Sequence, residues 1–305
     1  TIPWDETEAS ISFTANSAWS ASVAEVGTRA ATSISWLKIT VPKGGAGDVK
    51  MPLLLSKNDN ETYREAEVTI KCGEKCVTVT IHQEANPDAV KMMDASAISN
   101  YSMYITPGTW NEGFEKGPDY MLRSDARWSW WRMKQSEHFF VFWEPGFGDD
   151  PNAESVPEAL RVDVDDLLQK AEQFYKTNVE KLGMATVGQG KSVLDNHKMQ
   201  IYLLYQTDWL ATGSGYDDKI GALWVNPSTC KPVGSTIGHE IGHSFQYQVS
   251  ADKLFTGEVT PIDRADGSQL VPAGFRYGFG ENGAGGCAYW EQCAQWQSFQ
   301  DYPNE

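Results

Sequence analysis

Three side chains within five consecutive residues carry the most chemistry in this chain. The string Gly238-His239-Glu240-Ile241-Gly242-His243 sets two histidines four residues apart, with a glutamate beside the first. On a helix, positions i and i+4 lie one turn apart on one face, so both imidazoles can reach a single metal ion. A glutamate next to the first histidine is then close enough to take a proton from a water that the metal acidifies. His239 and His243 are the expected ligands of one Zn2+ per chain, and Glu240 is the expected catalytic base. The alternative is a pair of hydrogen-bonded histidines on an ordinary helix. The flanking pattern favours a helix with a dedicated face. At 100° per residue, Ile237, Ile241, Phe245 and Gln248 form one stripe, and the two histidines fall nearly opposite.

A catalytic zinc takes three protein ligands and keeps one position open. No histidine follows His243, so the third donor is expected to be a carboxylate: Glu258, Asp263, Asp266, Glu281, Glu291 or Asp301. Glu291 lies in Ala288–Trp296, which reads as a helix beginning after the glycines at 283, 285 and 286. Glu281 lies just ahead, in the glycine-rich Gly278–Gly283, and a loop carboxylate can also bind metal. Glu281 therefore stands as the alternative third ligand. Gly242 inside a helix costs about 1 kcal/mol relative to alanine, which points to a neighbouring element crossing closely there. A donor for a developing oxyanion would also be needed. His197, Tyr247, Tyr277 and Tyr289 are candidates, although each is more often structural.

The elements that must position these residues are legible by period. Glu137–Trp143 is an apolar run that reads as a buried strand. Pro157 opens a long helix whose apolar residues recur from Leu160 to Leu182, and Gly183 ends it. Met199–Tyr205 and Ala222–Val225 are further strands, and the motif helix begins near Ser235 or Thr236. The tryptophans of Trp128-Ser129-Trp130-Trp131 suit core packing better than a sugar-stacking platform. Residues 1–86 differ in kind. Ile11–Thr14, Trp36–Val41, Met51–Leu55, Ala66–Ile70 and Val77–Ile81 are short alternating runs broken by turn residues, with no helical period. They predict an all-β sandwich. The polar connection starting at Asn86-Pro87-Asp88 sets the expected boundary, with domains over 1–86 and 87–305.

The chain has 41 acidic and 25 basic residues, and its net charge of −16 repels phosphate backbones, so nucleic acid is not an expected partner. No window is apolar enough for a transmembrane helix. Five cysteines without a Cys-x-x-Cys pair argue against a structural cysteine-zinc site. Buried free thiols are expected, with Cys72 and Cys76 the one pair placed to face each other across a hairpin.

Ala18-Trp19-Ser20, Trp36–Ile39, Gly44–Gly47, Arg64–Ile70 and Val79–Gln83, in that order, resemble a BACON domain. The resemblance covers nearly all of residues 1–86. It implies an immunoglobulin-like β-sandwich at the N-terminus of a secreted or surface protein of gut Bacteroidetes. An extracytoplasmic location follows, with a signal peptide or lipoprotein anchor removed before Thr1. Carbohydrate is an implied partner of such a domain, although no exposed aromatic triad stands out and a spacer role is favoured.

The second segment is similar to uncharacterised bacterial proteins that join an H-E-x-G-H string to a later W-E-x-x-A-x-W string, here His239–His243 and Trp290–Trp296. That resemblance implies a gluzincin-like zinc peptidase in which Glu291 is the third ligand and Ala294 the small residue where two helices pack. Cys293 departs from the pattern, which has a polar residue there, often histidine. In zincins an edge strand before the motif helix pairs with the substrate backbone, which assigns substrate binding to Leu223, Trp224 and Val225. The expectation is a multidomain chain: an N-terminal all-β immunoglobulin-like sandwich, then a C-terminal α+β zincin-like metallopeptidase domain. Its expected activity is peptide-bond hydrolysis on peptides or glycoproteins, with the natural protein continuing beyond residue 305. The competing expectation is a non-catalytic surface adhesin, binding glycan or protein on a zincin scaffold.

Overall fold

The structure is a computed structural model describing residues 1–26, 34–108, 117–263, 269–270 and 287–304, with backbone alone at 262, 269, 270 and 287–289. The chain divides into two compact units, Thr1–Lys91 and Met92–Glu305. The division falls after the Asn86-Pro87-Asp88 connection because those residues still belong to the first unit: the Asn86 N–H donates to the Asn60 carbonyl at 2.9 Å, and Ala89 is buried.

The first unit is all-β. Its strands are β1 (Glu8–Ala15), β2 (Trp19–Glu25), β3 (Leu37–Ile39), β4 (Lys43–Gly44), β5 (Gly47–Leu55), β6 (Arg64–Cys72) and β7 (Lys75–Gln83). They form two sheets, ordered β1-β5-β3 and β4-β2-β6-β7. Side chains alternate along β5 and β6, so Met51, Leu53 and Leu55 from one sheet meet Ala66, Val68 and Ile70 from the other in a shared core with Trp19 and Leu37. β2 lies outside the alternating apolar runs of the sequence. Its alanines and serines carry little apolar signal. The expected Cys72–Cys76 approach is corrected by the β6–β7 register, which sets Cys72 opposite Lys75 and Cys76 opposite Lys71. A one-residue offset sends the two side chains to opposite faces, and both thiols are free.

The second unit is mixed α/β. Its sheet contains β8 (Met133–Gln135), β9 (Phe139–Trp143), β10 (Met199–Leu203), β11 (Ala211–Tyr216) and β12 (Ile220–Val225), in the order β11-β12-β10-β9-β8. β9, β10 and β12 run parallel, while β8 and β11 are antiparallel to their neighbours at the two ends. Every residue of the three parallel strands is buried, as expected of strands covered on both faces. Trp128 and Trp130 are also buried, and Trp130 packs on Tyr104, Phe140 and Phe142, so core packing accounts for both.

Helix α1 spans Val164–Lys176 rather than starting at Pro157. Asp163 sets the start by accepting from the Asp165 and Asp166 N–H groups. The helix runs on into a π-helical turn, Thr177–Lys181, and Gly183 follows with φ of 64°. Helix α2 covers Ser235–Phe255 and α3 covers Cys287–Ser298. Among the described residues no helix is long and apolar enough to cross a membrane.

Candidate metal centre

Helix α2 is buried on more than one side. Ile237, Ile241 and Phe245 are fully buried beneath it. Gln248 closes the same stripe by accepting from the Gly221 N–H at 2.9 Å. His239 and His243 project from the other side, one turn apart, with ring centroids 4.6 Å apart.

Helix α3 crosses at Gly242. A Cβ there would lie 3.1 Å from Gln297 Oε1 and 3.3 Å from the Ala294 Cα, and Ala294 is fully buried. The absent side chain on one helix and the small one on the other let the two backbones approach. That approach carries Glu291 over the histidines: its Oε2 lies 2.9 Å from His239 Nε2 and 3.2 Å from His243 Nε2. His239, His243 and Glu291 thus offer three metal-binding atoms within 4.8 Å of one another. Glu281 and Tyr277 lie outside the described residues, and Tyr289 is described by backbone alone.

Each imidazole turns its other nitrogen to an amide oxygen. His239 Nδ1 is 3.2 Å from Gln295 Oε1, and His243 Nδ1 is 3.1 Å from Gln246 Oε1. The Trp290 ring stacks on His243 at 5.3 Å, which fixes the plane of the imidazole. Burial lowers the His243 pKa, and the nearby His239 adds to this against the opposing pull of Gln246 and Glu291. The neutral ring is the form that binds metal.

Glu240 faces the last strand of the sheet. A Cβ on Gly213 would sit 1.9 Å from the Glu240 carbonyl oxygen, so only glycine lets β11 lie this close to α2. The Gly213 N–H then donates to Glu240 Oε2 at 2.5 Å. The carboxylate is buried, and that burial raises its pKa; Glu291 pushes the same way, while His239 and the Gly213 N–H oppose. The groups line one cleft of about 570 Å³, with Trp209, Thr212 and Ser214 along its wall.

The substrate role assigned to Leu223, Trp224 and Val225 is corrected. Their strand, β12, pairs with β10 on one side and β11 on the other, and all its residues are buried. It has no free edge for a peptide. The edge strand beside the cleft is β11. Its Ala-Thr-Gly-Ser-Gly-Tyr sequence carries little apolar signal, although Gly213 and Gly215, two residues apart, mark one face pressed against another element. Of the oxyanion candidates, His197 Nδ1 is 3.2 Å from the Val193 carbonyl, and the Tyr247 hydroxyl bonds Asp218. Neither lines the cleft.

A profile for a family of unknown function (DUF6055) matches residues 95–305. The chain belongs to this family. His239, Glu240, His243 and Glu291 all fall in the DUF6055 segment. A second profile, BACON, described as "Putative binding domain, N-terminal", matches residues 19–84. No curated protein matches the chain. Among solved structures, a protein from Bacteroides thetaiotaomicron determined by NMR is 18% identical, covering 28% of this chain and 75% of that one, with a TM-score of 0.21. A GH5 xyloglucanase from Bacteroides ovatus, in complex with a XXXG heptasaccharide, is 14% identical over 82% of this chain and 60% of that one, with a TM-score of 0.23.

Proposed function

We propose that the Met92–Glu305 unit is a zinc-dependent metallopeptidase of gluzincin type that hydrolyses peptide bonds in peptides or glycoproteins. One observation carries the reading: His239, His243 and Glu291 converge beside a buried glutamate on the same helix turn. Two imidazoles and a carboxylate match a catalytic zinc, which keeps a fourth position open. Zinc bound there supplies Lewis acidity and lowers the pKa of water towards 7.

The remaining chemistry belongs to the chain. The Glu240 carboxylate takes a proton from the attacking water and returns it to the leaving amine. A carboxylate in this position can serve first as base and then as acid. The Gly213 N–H holds Oε2 in place while the proton moves. β11 offers an extended peptide a strand to pair with at the rim of the cleft. Trp209, 66% exposed there, offers a flat face to an apolar side chain or a sugar ring. The BACON match supports a secreted or surface location.

The test is a broad peptide library incubated with zinc-loaded wild type and Glu240→Gln. The proposal expects cleavage by the wild type alone. Equal cleavage by both rejects Glu240 as the base. A second reading, a non-catalytic surface adhesin, draws on the binding-domain match and on Trp209. It expects no cleavage by either protein and no stoichiometric zinc.

A further inference from the structure

The amide that meets His243 is not an isolated contact. Gln246 Nε2 donates to the Trp290 carbonyl at 3.2 Å and to Gln297 Oε1 at 2.9 Å. Gln297 Nε2 donates in turn to Asn178 Oδ1 at 2.6 Å, and Asn178 Nδ2 donates to the Phe174 carbonyl at 2.9 Å. All three amides are buried: Gln246 is 0%, Asn178 2% and Gln297 3% exposed.

The sense of this chain is set from both ends. A peptide carbonyl can only accept, so the Phe174 carbonyl requires the NH2 of Asn178 and the Trp290 carbonyl requires the NH2 of Gln246. Asn178 must then present its oxygen to Gln297, and Gln297 its oxygen to Gln246. Gln246 is left with an oxygen facing His243 Nδ1. Reversing one amide would oppose like groups among buried side chains. An oxygen acceptor at Nδ1 demands a proton on Nδ1, and a neutral imidazole then carries its lone pair on Nε2. Nε2 is the atom turned to Glu291.

We propose that Asn178, Gln297 and Gln246 form a directed amide relay that presets the tautomer of His243 for metal binding. The relay joins the three helices. Asn178 comes from the π-helical turn after α1, Gln246 from α2 and Gln297 from α3. A π turn is a common device for redirecting a side chain at a functional site, and here it sends Asn178 inward. The three amides are positioning residues, and they act on the metal through His243. The proposal rests on the zinc reading.

The experiment uses the full chain and zinc ion. Zinc affinity is measured by competition with a chromophoric chelator. The imidazole N–H of His243 in the zinc-loaded protein is followed by nitrogen-15 NMR. Wild type should show a slowly exchanging Nδ1–H with Nε2 as the ligand atom. Gln246→Met should bind zinc about 10–100-fold more weakly and lose the protected Nδ1–H. Gln297→Met should move both readings in the same direction. Gln297 reaches His243 only through Gln246, and methionine keeps its volume, so this second variant separates orientation from loss of packing and stands even if Gln246→Met fails to fold. Wild-type affinity in both methionine variants overturns the relay, as does ligation of zinc through Nδ1. Absence of stoichiometric zinc from the wild type overturns the zinc reading itself and the relay with it.

Discussion

Glu240 and Glu291 are both carboxylates beside the same two histidines, and their surroundings assign them different work. Glu240 is buried against the Gly213 N–H, whereas Glu291 is 53% exposed and lies within 3.2 Å of both Nε2 atoms. Glu240→Gln keeps the shape and leaves the donors alone. Turnover should fall by about 10²–10⁴-fold with zinc content unchanged in metal analysis. Glu291→Ala removes a donor. Its zinc affinity should fall by more than the roughly 10–100-fold that loss of a supporting hydrogen bond costs, read by chelator competition. His239, Glu240 and His243 were legible because their spacing is itself the geometry of a helix turn. Glu291 stood out from Glu281 through the family resemblance, which implies a small residue three positions later, here Ala294, where the two helices pack. Gln246, Gln295 and Gln297 were not legible, because a glutamine amide serves any buried partner and has no spacing of its own.

At the scale of elements, the site depends on two close approaches. The first is β11 against α2. Gly213→Ala would drive a methyl group into backbone, where no rotamer change relieves it. It should destabilise the second unit by about 1–3 kcal/mol, measured by chemical denaturation, and an unchanged midpoint would show that the strand can move aside. The second approach, α3 on Gly242, was readable from a glycine out of place in a helix. β11 was hidden by its small residues, and the substrate role fell instead to β12. The continuous apolar run of β12, read as an edge, is the mark of a strand covered on both faces.

α1 is fastened to the sheet by a titratable contact. Glu172 accepts from the His138 N–H at 2.8 Å and from His138 Nδ1 at 2.7 Å. Burial opposes its ionisation, yet these bonds prevail and hold its pKa below the ordinary 4.5. A carboxylate with a lowered folded-state pKa contributes stability above that ordinary value and loses it as the pH falls through the folded value. Glu172→Gln should therefore be less stable than wild type at neutral pH. The gap should close on acidification below about pH 4, followed by denaturation at a series of pH values. A constant gap would mean that the contact does not depend on charge.

For the whole molecule, the two units have separate cores, and every proposed ligand lies in the second. Residues 92–305 produced alone should bind zinc within a few-fold of the full chain, measured by the same chelator competition. A large loss would assign the first unit a part in the site. The all-β first unit was legible because alternation and turn residues recur along it. The division at Lys91/Met92 was placed a few residues early, because polar residues such as Asn86 bond back to the unit they leave.

The central claim is that His239, His243 and Glu291 hold zinc. Metal analysis of the dialysed, zinc-replete full chain beside its Glu291→Ala variant tests it most directly. One zinc per chain in the wild type, and clearly less in the variant, is the predicted result. A wild type without stoichiometric zinc would contradict the account.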